Sequence, residues 1–337
     1  MGEVRQTGKD PAAQFSRGVE SPGRPVGRGC IIMGVFNGEA HLAEQLQSIA
    51  RQNHSDWDML VGDDGSGDAS AQIVEQFAEE MKPRGNLVTV RPGPQAGVAM
   101  NFLNLIVHAP AAAQWLAISD QDDVWMPDRI SRGLGGLANA SGDLAALYCG
   151  RTVVVDSDLG ELHLSPDFRR PPGFLNALLQ SIAGGNTMLL NRRSLELARA
   201  AAREAMAVGG PTTHDWWLYQ LVSGAGGEVM FDREPSVYYR QHGRNQFGQN
   251  VGLQAKLRRI GMLLSGRYAG WMSANIAALQ ASSDRLLPEN AEILNRLGEI
   301  RELPFWHRFI KFRQLRLYHQ TKPGQAILTL ANLLGKL

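Results

Sequence analysis

The chain has 337 residues, 44% hydrophobic and 20% charged, a composition typical of soluble globular proteins and unlike that of disordered, fibrous or disulfide-rich chains. Its 34 basic and 33 acidic residues give a net charge of +1, so no overall field indicates nucleic acid as a partner. It has two cysteines, and no apolar run approaches the roughly 18 to 20 residues that a membrane-spanning helix needs. We therefore expect a cytoplasmic protein that does not depend on disulfides.

The N-terminal segment, residues 1–28, differs in composition from the rest of the chain. It is rich in glycine, proline, arginine and glutamine, and it offers almost no apolar side chains to offset the entropy of ordering. It also lacks the apolar core of a secretory signal. We expect a disordered leader here, a domain over residues 29–250 and a basic helical extension over residues 251–337, where 13 basic residues stand against 5 acidic ones.

Apolar runs alternate with amphipathic segments over the first half of the chain. Cys30–Val35 is a short apolar run typical of a buried parallel strand, and the apolar residues of Glu39–Gln52 recur at helical spacing. Further strands are predicted at Trp57–Val61, Asn86–Arg91 and Trp115–Ile118, with helices between them. This α/β alternation predicts a mostly parallel sheet flanked by helices, with ligands at the carboxyl ends of the strands.

The periodicity is weaker beyond residue 145. Ala146–Asp156 is predicted to be a strand, and Met188–Leu190 a short strand that follows a glycine-rich turn. From about residue 251 onward, leucine, isoleucine and methionine recur at helical spacing with little strand signal.

Three aspartates, Asp63, Asp64 and Asp68, follow the second predicted strand together with two glycines. Taken alone, the segment fits best an Asp-rich turn that leads into a helix N-cap. It can also form a nucleotide pocket in which one carboxylate accepts the imide N–H of a uracil or thymine base.

A second acidic segment follows the fourth predicted strand. In an extended backbone the side chains of Asp120 and Asp122 point to the same side, and such converging carboxylates suit Mg²⁺ or Mn²⁺ beside a diphosphate. The alternative is a capped turn, with Pro127 opening the next helix and Asp128 in its first turn. Because both acidic segments lie at strand ends, we favour a nucleotide and metal site.

Four segments, in this order and spacing, resemble family 2 inverting glycosyltransferases, and among them the bacterial rhamnosyltransferase-like members that build surface polysaccharides. They are Ile31–Glu39, Asp63–Asp68, Ser119–Trp125 and Thr213–Trp217. The resemblance extends over roughly residues 29 to 247. It implies a GT-A fold, in which a nucleotide-binding α/β half and an acceptor-binding half form one compact domain.

The resemblance also implies residue roles in the donor site. It places the nucleotide base against Phe36 and Asp64, and the metal on Asp122 with Asp120 and Asp123 in support. Phe36 departs from the tyrosine often found there, so its ring can stack on the base while a hydroxyl contact is lost. Further residues expected in contact with the donor are Asn37, Glu39, Asp63 and Asp120.

The segment from His214 to Trp217 places a carboxylate among aromatic residues at the predicted start of a helix. In isolation it fits an N-cap aspartate with core tryptophans behind it. In the family that the chain resembles, the matching acid deprotonates the acceptor hydroxyl, which makes Asp215 the candidate catalytic base. Desolvation by Trp216 and Trp217 would raise the pKa of this carboxyl and the helix N-terminus would lower it, so the net direction stays open.

Two later segments carry further candidates. In Tyr238–Gln246, His242 is a candidate metal ligand and Arg240 and Arg244 are candidate clamps for the diphosphate, with a solvated loop as the alternative. The turn around Gly185 resembles the family's loop near the donor sugar, where glycine allows close backbone approach; a plain turn is the alternative.

A basic amphipathic pattern occurs near the C-terminus. Phe305, Phe309 and Phe312 recur at helical spacing with arginine and lysine residues between them. Such a helix, within residues 300–320, can lie in a membrane interface or dock on the domain with its basic face in water. We favour the membrane surface because a lipid-linked acceptor would explain it.

Together these patterns predict a metal-dependent inverting glycosyltransferase. The expected donor is dTDP-L-rhamnose, or another dTDP- or UDP-sugar, and the expected acceptor is a bacterial surface glycan or its lipid-linked precursor. We expect it in the cytoplasm, peripheral on the inner face of the cell membrane. The alternative is a catalytically silent nucleotide-sugar-binding scaffold subunit of a polysaccharide-assembly complex, which would need the acidic segments but not Asp215.

Overall fold

The computed structural model describes residues 27–141, 143–241, 261 and 265–336. Its first half is built from four parallel strands in the spatial order β3-β2-β1-β4, with helices α1 to α3 between them. The bounds are β1 Gly29–Val35, α1 Leu42–Ala50, β2 Trp57–Asp63, α2 Ser70–Met81, β3 Val88–Pro92, α3 Val98–His108 and β4 Trp115–Ser119. The predicted α/β alternation is confirmed.

The second half of the sheet mixes parallel and antiparallel strands. Its elements are β5 Val124–Trp125, α4 Arg129–Ala138, β6 Ala146–Val155, β7 Glu161–Leu164, α5 Phe174–Ala177, β8 Leu189–Asn191, α6 Arg192–Ala207, α7 His214–Gly224 and β9 Glu228–Arg240. Strand β8 runs antiparallel to β4 and β6, while β9 is parallel to β6 and antiparallel to β5. Within the described residues the full order is β3-β2-β1-β4-β8-β6-β9-β5, with β7 beside β6.

The core lies on both faces of this sheet. Alternate residues of β1 point to opposite faces, as the two-residue period of a strand requires. Cys30 and Ile32 pack into a core cluster with α3, α6 and α7, whereas Ile31 and Met33 pack into a second cluster with α1, α2 and α4. Because β1 is buried on both faces, its sequence is a continuous apolar run.

Over residues 265–336 the structure describes four further helices: α8 Arg267–Gln280, α9 Pro288–Arg301, α10 Phe305–Gln314 and α11 Lys322–Leu333. Their inner faces join the cluster that holds α3, α6 and α7, through residues such as Ile276, Leu297 and Phe312. The Asn275 side chain accepts a hydrogen bond from the Thr212 amide at 2.9 Å. The predicted helical C-terminal part is confirmed, while the predicted domain limits, including the leader, fall mainly outside the described residues. None of the helices described is both long and apolar enough to cross a membrane.

Candidate functional site

The loops after β1 and β2 interlock at the carboxyl end of the sheet. Asn37, held at a φ of 48°, donates its amide to Ser66 Oγ at 3.0 Å and accepts the Gly67 amide on its side chain at 2.8 Å. Glu39 accepts the Ala69 amide at 3.1 Å and donates its own amide to the Asp68 carboxylate at 3.1 Å. The structure thus places the predicted donor residues Asn37 and Glu39 at this edge, where their side chains fasten the two loops together.

Phe36 and the first acidic segment lie at the same edge. The Phe36 ring is exposed, and its backbone is fixed by the Gln121 side chain through hydrogen bonds of 2.8 and 3.1 Å. Asp63 Oδ1 accepts the Ser66 amide at 2.9 Å, and Asp64 Oδ1 accepts the Gln95 amide at 2.6 Å. The Asp-rich turn therefore forms, and it stands beside an exposed aromatic ring.

The second acidic segment converges with Asp215. Burial and the charges of Asp122 and Asp215 raise the pKa of the Asp120 carboxyl to about 7, which shows that the three carboxylates lie close enough to interact. Asp123 is fully buried, and its carboxylate accepts Asn186 Nδ2 at 2.5 Å and the Arg240 amide at 3.2 Å. Asp123 therefore supports the segment, while Asp120, Asp122 and Asp215 gather at the site.

A fully buried arginine that no sequence motif indicates, Arg129, packs against this segment. Arg129 Nη2 donates to the carbonyl oxygens of Ile118 at 3.0 Å and Asn186 at 2.6 Å, and its guanidinium stacks 3.6 Å from the Trp125 ring centroid. Burial lowers its pKa to about 9, against the opposing pull of nearby acidic groups that include Asp123 and Tyr148. The only sequence signal was an arginine in the first turn of the helix that follows the acidic segment.

The Arg240 guanidinium is held by other groups of the protein, and its predicted contact with the diphosphate stays a prediction. Its side chain is only 1% exposed, and it donates to the Asp122 carbonyl oxygen at 2.9 Å, to the Ser157 carbonyl oxygen and to the Glu44 carboxylate. In this geometry the guanidinium braces the acidic segment, and a diphosphate clamp would require these hydrogen bonds to break. The candidates His242 and Arg244 lie outside the described residues.

The glycine-rich turn before β8 contacts His214 rather than open space. A Cβ added to Gly185 would lie 2.2 Å from His214 Nε2, and the His214 ring stacks on Phe102 with centroids 4.0 Å apart. Burial lowers the pKa of His214 to about 4, so the imidazole is neutral near pH 7. This imidazole fills the space beside the Gly185 Cα, and the position of the turn near the donor sugar stays a prediction.

Gly185→Ala is therefore expected to destabilise the fold by about 1–3 kcal/mol, because the new methyl group overpacks against a buried ring. Denaturant unfolding would measure the loss. Gly185→Ala combined with His214→Ala should recover part of it, whereas Gly135→Ala, at a helical glycine with open space around it, should be neutral or slightly stabilising. Equal stability of the Gly185 and Gly135 variants would contradict the tight contact.

Asp215 lies in the first turn of α7, where its Oδ1 accepts the Trp216 amide at 2.7 Å. Helical geometry turns the two tryptophans that follow into the core: Trp217 is fully buried, and Trp216 Nε1 donates to the Ala177 carbonyl oxygen at 2.6 Å. The tryptophans are thus core residues, as the simpler interpretation of this segment held. The Asp215 carboxylate is partly exposed beside the acidic segment.

The carboxylates at this edge of the sheet provide some, but not all, of the ligands that a hard divalent cation needs. Among the described residues no three histidine, cysteine, aspartate or glutamate side chains form a complete metal site. Burial, followed by the negative charges of Asp122 and Asp215, raises the pKa of the Asp120 carboxyl, and a cation bound beside these carboxylates would favour their ionised forms. Two carboxylates with open positions for water and phosphate oxygens are the arrangement that Mg²⁺ and Mn²⁺ accept.

Comparison with known proteins gives matches over most of the chain. Residues 30–196 match the family described as Glycosyl transferase family 2. A dTDP-rhamnosyl transferase of Shigella flexneri, RfbG, is 27% identical over 290 residues, which cover 81% of this chain and 93% of that protein. The glucosyltransferase WfgD of Escherichia coli, named as acting from UDP-Glc on alpha-D-GlcNAc-diphosphoundecaprenol, is 28% identical over 100 residues, which cover 30% of this chain and 37% of that one.

The fold also has a counterpart among solved structures. Residues 1–349 of S. aureus TarS, in complex with UDP-GlcNAc, align with a TM-score of 0.51 and 13% identity over 92% of this chain and 90% of that one. At this identity the likeness establishes a shared fold, the GT-A fold that the sequence motifs implied.

Proposed function

Because the chain carries a glycosyl transferase family 2 domain over residues 30–196 and is a glycosyltransferase, we propose that it transfers L-rhamnose from dTDP-L-rhamnose to a hydroxyl group of a bacterial surface glycan or its lipid-linked precursor. The dTDP-rhamnosyl transferase that aligns with 81% of the chain supports this donor. The proposal places the enzyme in the cytoplasm at the inner face of the membrane, where a lipid-linked acceptor would be presented.

One observation carries the proposal: the charges of Asp122 and Asp215 both act on the Asp120 carboxylate, which follows β4 at the carboxyl ends of the parallel strands. Asp120 and Asp122 come from the segment after β4, and Asp215 comes from the first turn of α7, nearly a hundred residues later. Burial, with the charges of Asp122 and Asp215 added to it, raises the pKa of the Asp120 carboxyl to about 7. A site that combines metal-binding carboxylates with one more carboxylate suits transfer between a diphosphate donor and a hydroxyl acceptor.

We assign the nucleotide base to the pocket beside Phe36 and Asp64. The exposed Phe36 ring offers a stacking surface. Asp64 Oδ1 is held by the Gln95 amide, and the second carboxylate oxygen would accept the imide N–H of thymine or uracil. Asp122, with Asp120 in support, would hold Mg²⁺ or Mn²⁺, which supplies positive charge for the diphosphate.

Asp215 is the proposed catalytic base. Its Oδ1 accepts the Trp216 amide, which fixes the carboxylate at the helix terminus. In a single displacement the acceptor hydroxyl oxygen forms a bond to the anomeric carbon on the face opposite the leaving group, and its proton passes to Asp215. The bond from the anomeric carbon to the diphosphate oxygen breaks with its electron pair on the nucleotide diphosphate. The sugar is transferred with inversion.

Calorimetric binding to a donor panel tests this assignment. The panel contains dTDP-rhamnose, UDP-glucose, UDP-galactose, UDP-N-acetylglucosamine and GDP-mannose, each with Mg²⁺ or Mn²⁺ and with chelator. We expect metal-dependent binding that favours dTDP-rhamnose by about tenfold or more, because a fitted sugar pocket discriminates by that order. Preference for another donor would replace rhamnose in the proposal. Absence of metal-dependent binding to every donor would leave the acidic segments as capped turns.

A further inference from the structure

The last two helices expose large apolar side chains to solvent. On α10, Trp306 and Ile310 lie one helical turn apart and are 69% and 56% exposed. Leu330 on α11 and Leu334 at its C-cap repeat this spacing and are 55% and 53% exposed. The opposite sides of both helices, through Phe312 and Leu328, are buried in the core. Both helices therefore carry apolar side chains on the face that packs on the protein and also on the face exposed to solvent.

The two helices pack side by side and enclose a basic groove. The Arg308 guanidinium lies against Gly335, just after α11, so that the end of α11 is beside α10. A groove of about 320 Å³ separates the helices, and Phe309, Arg313, Arg316 and Thr329 contribute to its walls. The exposed apolar residues and the two groove arginines thus belong to the same pair of helices, and we call the solvent-facing surface of this pair the α10–α11 face.

The charge of this region has a single sign. From Leu303 to Leu337 the sequence has six lysine or arginine residues and no aspartate or glutamate. Residues 1–250 contain 21 basic and 28 acidic residues, so the positive charge is concentrated in the last helices. A surface that is both apolar and uniformly basic complements an anionic lipid bilayer, where phosphates meet acyl chains.

We propose that the α10–α11 face binds an anionic lipid surface. Trp306, Ile310, Leu330 and Leu334 enter the boundary between headgroups and acyl chains, and Arg313 and Arg316 receive lipid phosphates in the groove. This inference deepens the proposed function and rests on its lipid-linked acceptor. It extends the surface predicted for residues 300–320 to a second helix, and it commits that surface to negatively charged lipid.

Sedimentation of the full chain with vesicles tests the proposal. We expect binding to vesicles that contain phosphatidylglycerol, weak binding to phosphatidylcholine alone, and a loss of binding as salt rises. Trp306 is the most exposed tryptophan described, so a blue shift of tryptophan emission should accompany binding and should be absent in Trp306→Phe. Binding to both vesicle types alike, or to neither, would overturn the proposal.

Substitutions separate this face from a general affinity for lipid. Leu330→Glu and Ile310→Glu should weaken vesicle binding by about tenfold or more, and Arg313→Ala and Arg316→Ala by about fivefold each. Leu87→Glu, at an exposed leucine just before the edge strand β3 and outside the last two helices, is the matched control and should bind as the wild type does. Equal binding by Leu330→Glu and Leu87→Glu would contradict the proposal.

Donor binding keeps the two proposals apart. The same variants should bind donor sugars as the wild type does, because none of the changed residues belongs to the donor site. Unfolding midpoints equal to that of the wild type would show that each variant is folded. A chain that binds donor but not anionic vesicles would overturn the lipid surface alone, whereas one that binds vesicles but no donor would overturn the proposed transfer.

Discussion

Asp215→Asn is expected to reduce sugar transfer by about 10²- to 10⁴-fold while leaving donor affinity nearly unchanged. The amide keeps the shape of the side chain and can still accept the Trp216 amide, but it cannot take the proton of the acceptor hydroxyl. Because the loss falls on the chemical step, it should appear in kcat and not in donor binding. Product formation under saturating donor, together with donor calorimetry, measures both quantities.

Glu289→Gln is the matched control for this variant. Glu289 is also an acid in the first turn of a helix, α9, and it lies in the C-terminal helical part away from the strand ends. The same acid-to-amide change should therefore leave transfer intact. If Asp215→Asn keeps wild-type turnover, Asp215 is not the base. Donor binding without transfer in the wild type itself would favour the silent scaffold subunit.

Asp122→Ala should lower metal-dependent donor affinity by at least about 100-fold. Loss of a residue that only hydrogen-bonds to a metal ligand typically lowers metal affinity by about 10- to 100-fold. Asp122 is proposed to bind the metal directly, so its loss should cost at least as much. With the metal weakened, the diphosphate would meet the remaining carboxylates Asp120 and Asp215 without compensation. Calorimetric titration of donor in Mg²⁺ or Mn²⁺ measures the effect.

The Asp122→Ala experiment has two controls, which are wild-type protein in chelator and a variant of an exposed aspartate. Wild-type protein in chelator should behave like Asp122→Ala in metal, and chelator should add little to the variant. Asp158→Asn changes a carboxyl at an exposed turn beyond β6 and should leave metal-dependent binding intact. Unchanged donor affinity in Asp122→Ala would remove this residue from the metal site.

The first four strands could be predicted because their signals are local. Each is a short apolar run followed by a helix with its own apolar stripe, and the predicted bounds differ from the observed ones by at most two residues at either end. A strand that is buried on both faces, as Ile31 and Ile32 of β1 show, needs apolar residues at nearly every position and is therefore recognisable in the sequence. The acidic segments follow from the same pattern, because they begin where β2 and β4 end.

Strand β9 was not predicted because its sequence contains poor strand formers, and its pairing with β6 is what makes it a strand. Its middle contains Asp232, Arg233, Glu234 and Pro235, which are poor strand formers. The register with β6 shifts there, so that residues 233–236 stand opposite the single residue Arg151. This bulge removes the proline from the ladder, and only a partner some 80 residues away can accommodate it.

The roles of Arg240 and Gly185 depend on contacts between distant segments. Arg240 resembles a phosphate ligand in the sequence, yet it donates to the carbonyl oxygens of Asp122 and Ser157 and to the Glu44 carboxylate. Gly185 resembled a residue that a ligand approaches, yet the imidazole of His214 takes that space. A motif gives the residue types at a site. It does not show which of these residues are already bound, or closely packed, by other side chains of the protein.

The hydrogen bond by which Arg240 braces the acidic segment can form only late in the folding of a newly synthesised chain. Arg240 and Asp122, whose carbonyl oxygen it binds, are 118 residues apart. On the ribosome, β1 to β4 emerge first and can pair at once, whereas the acidic segment gains its brace only after β9 has been made. A nascent chain would therefore complete its first four strands well before the acidic segment is braced, and the proposed metal site could form only after Arg240 has been added.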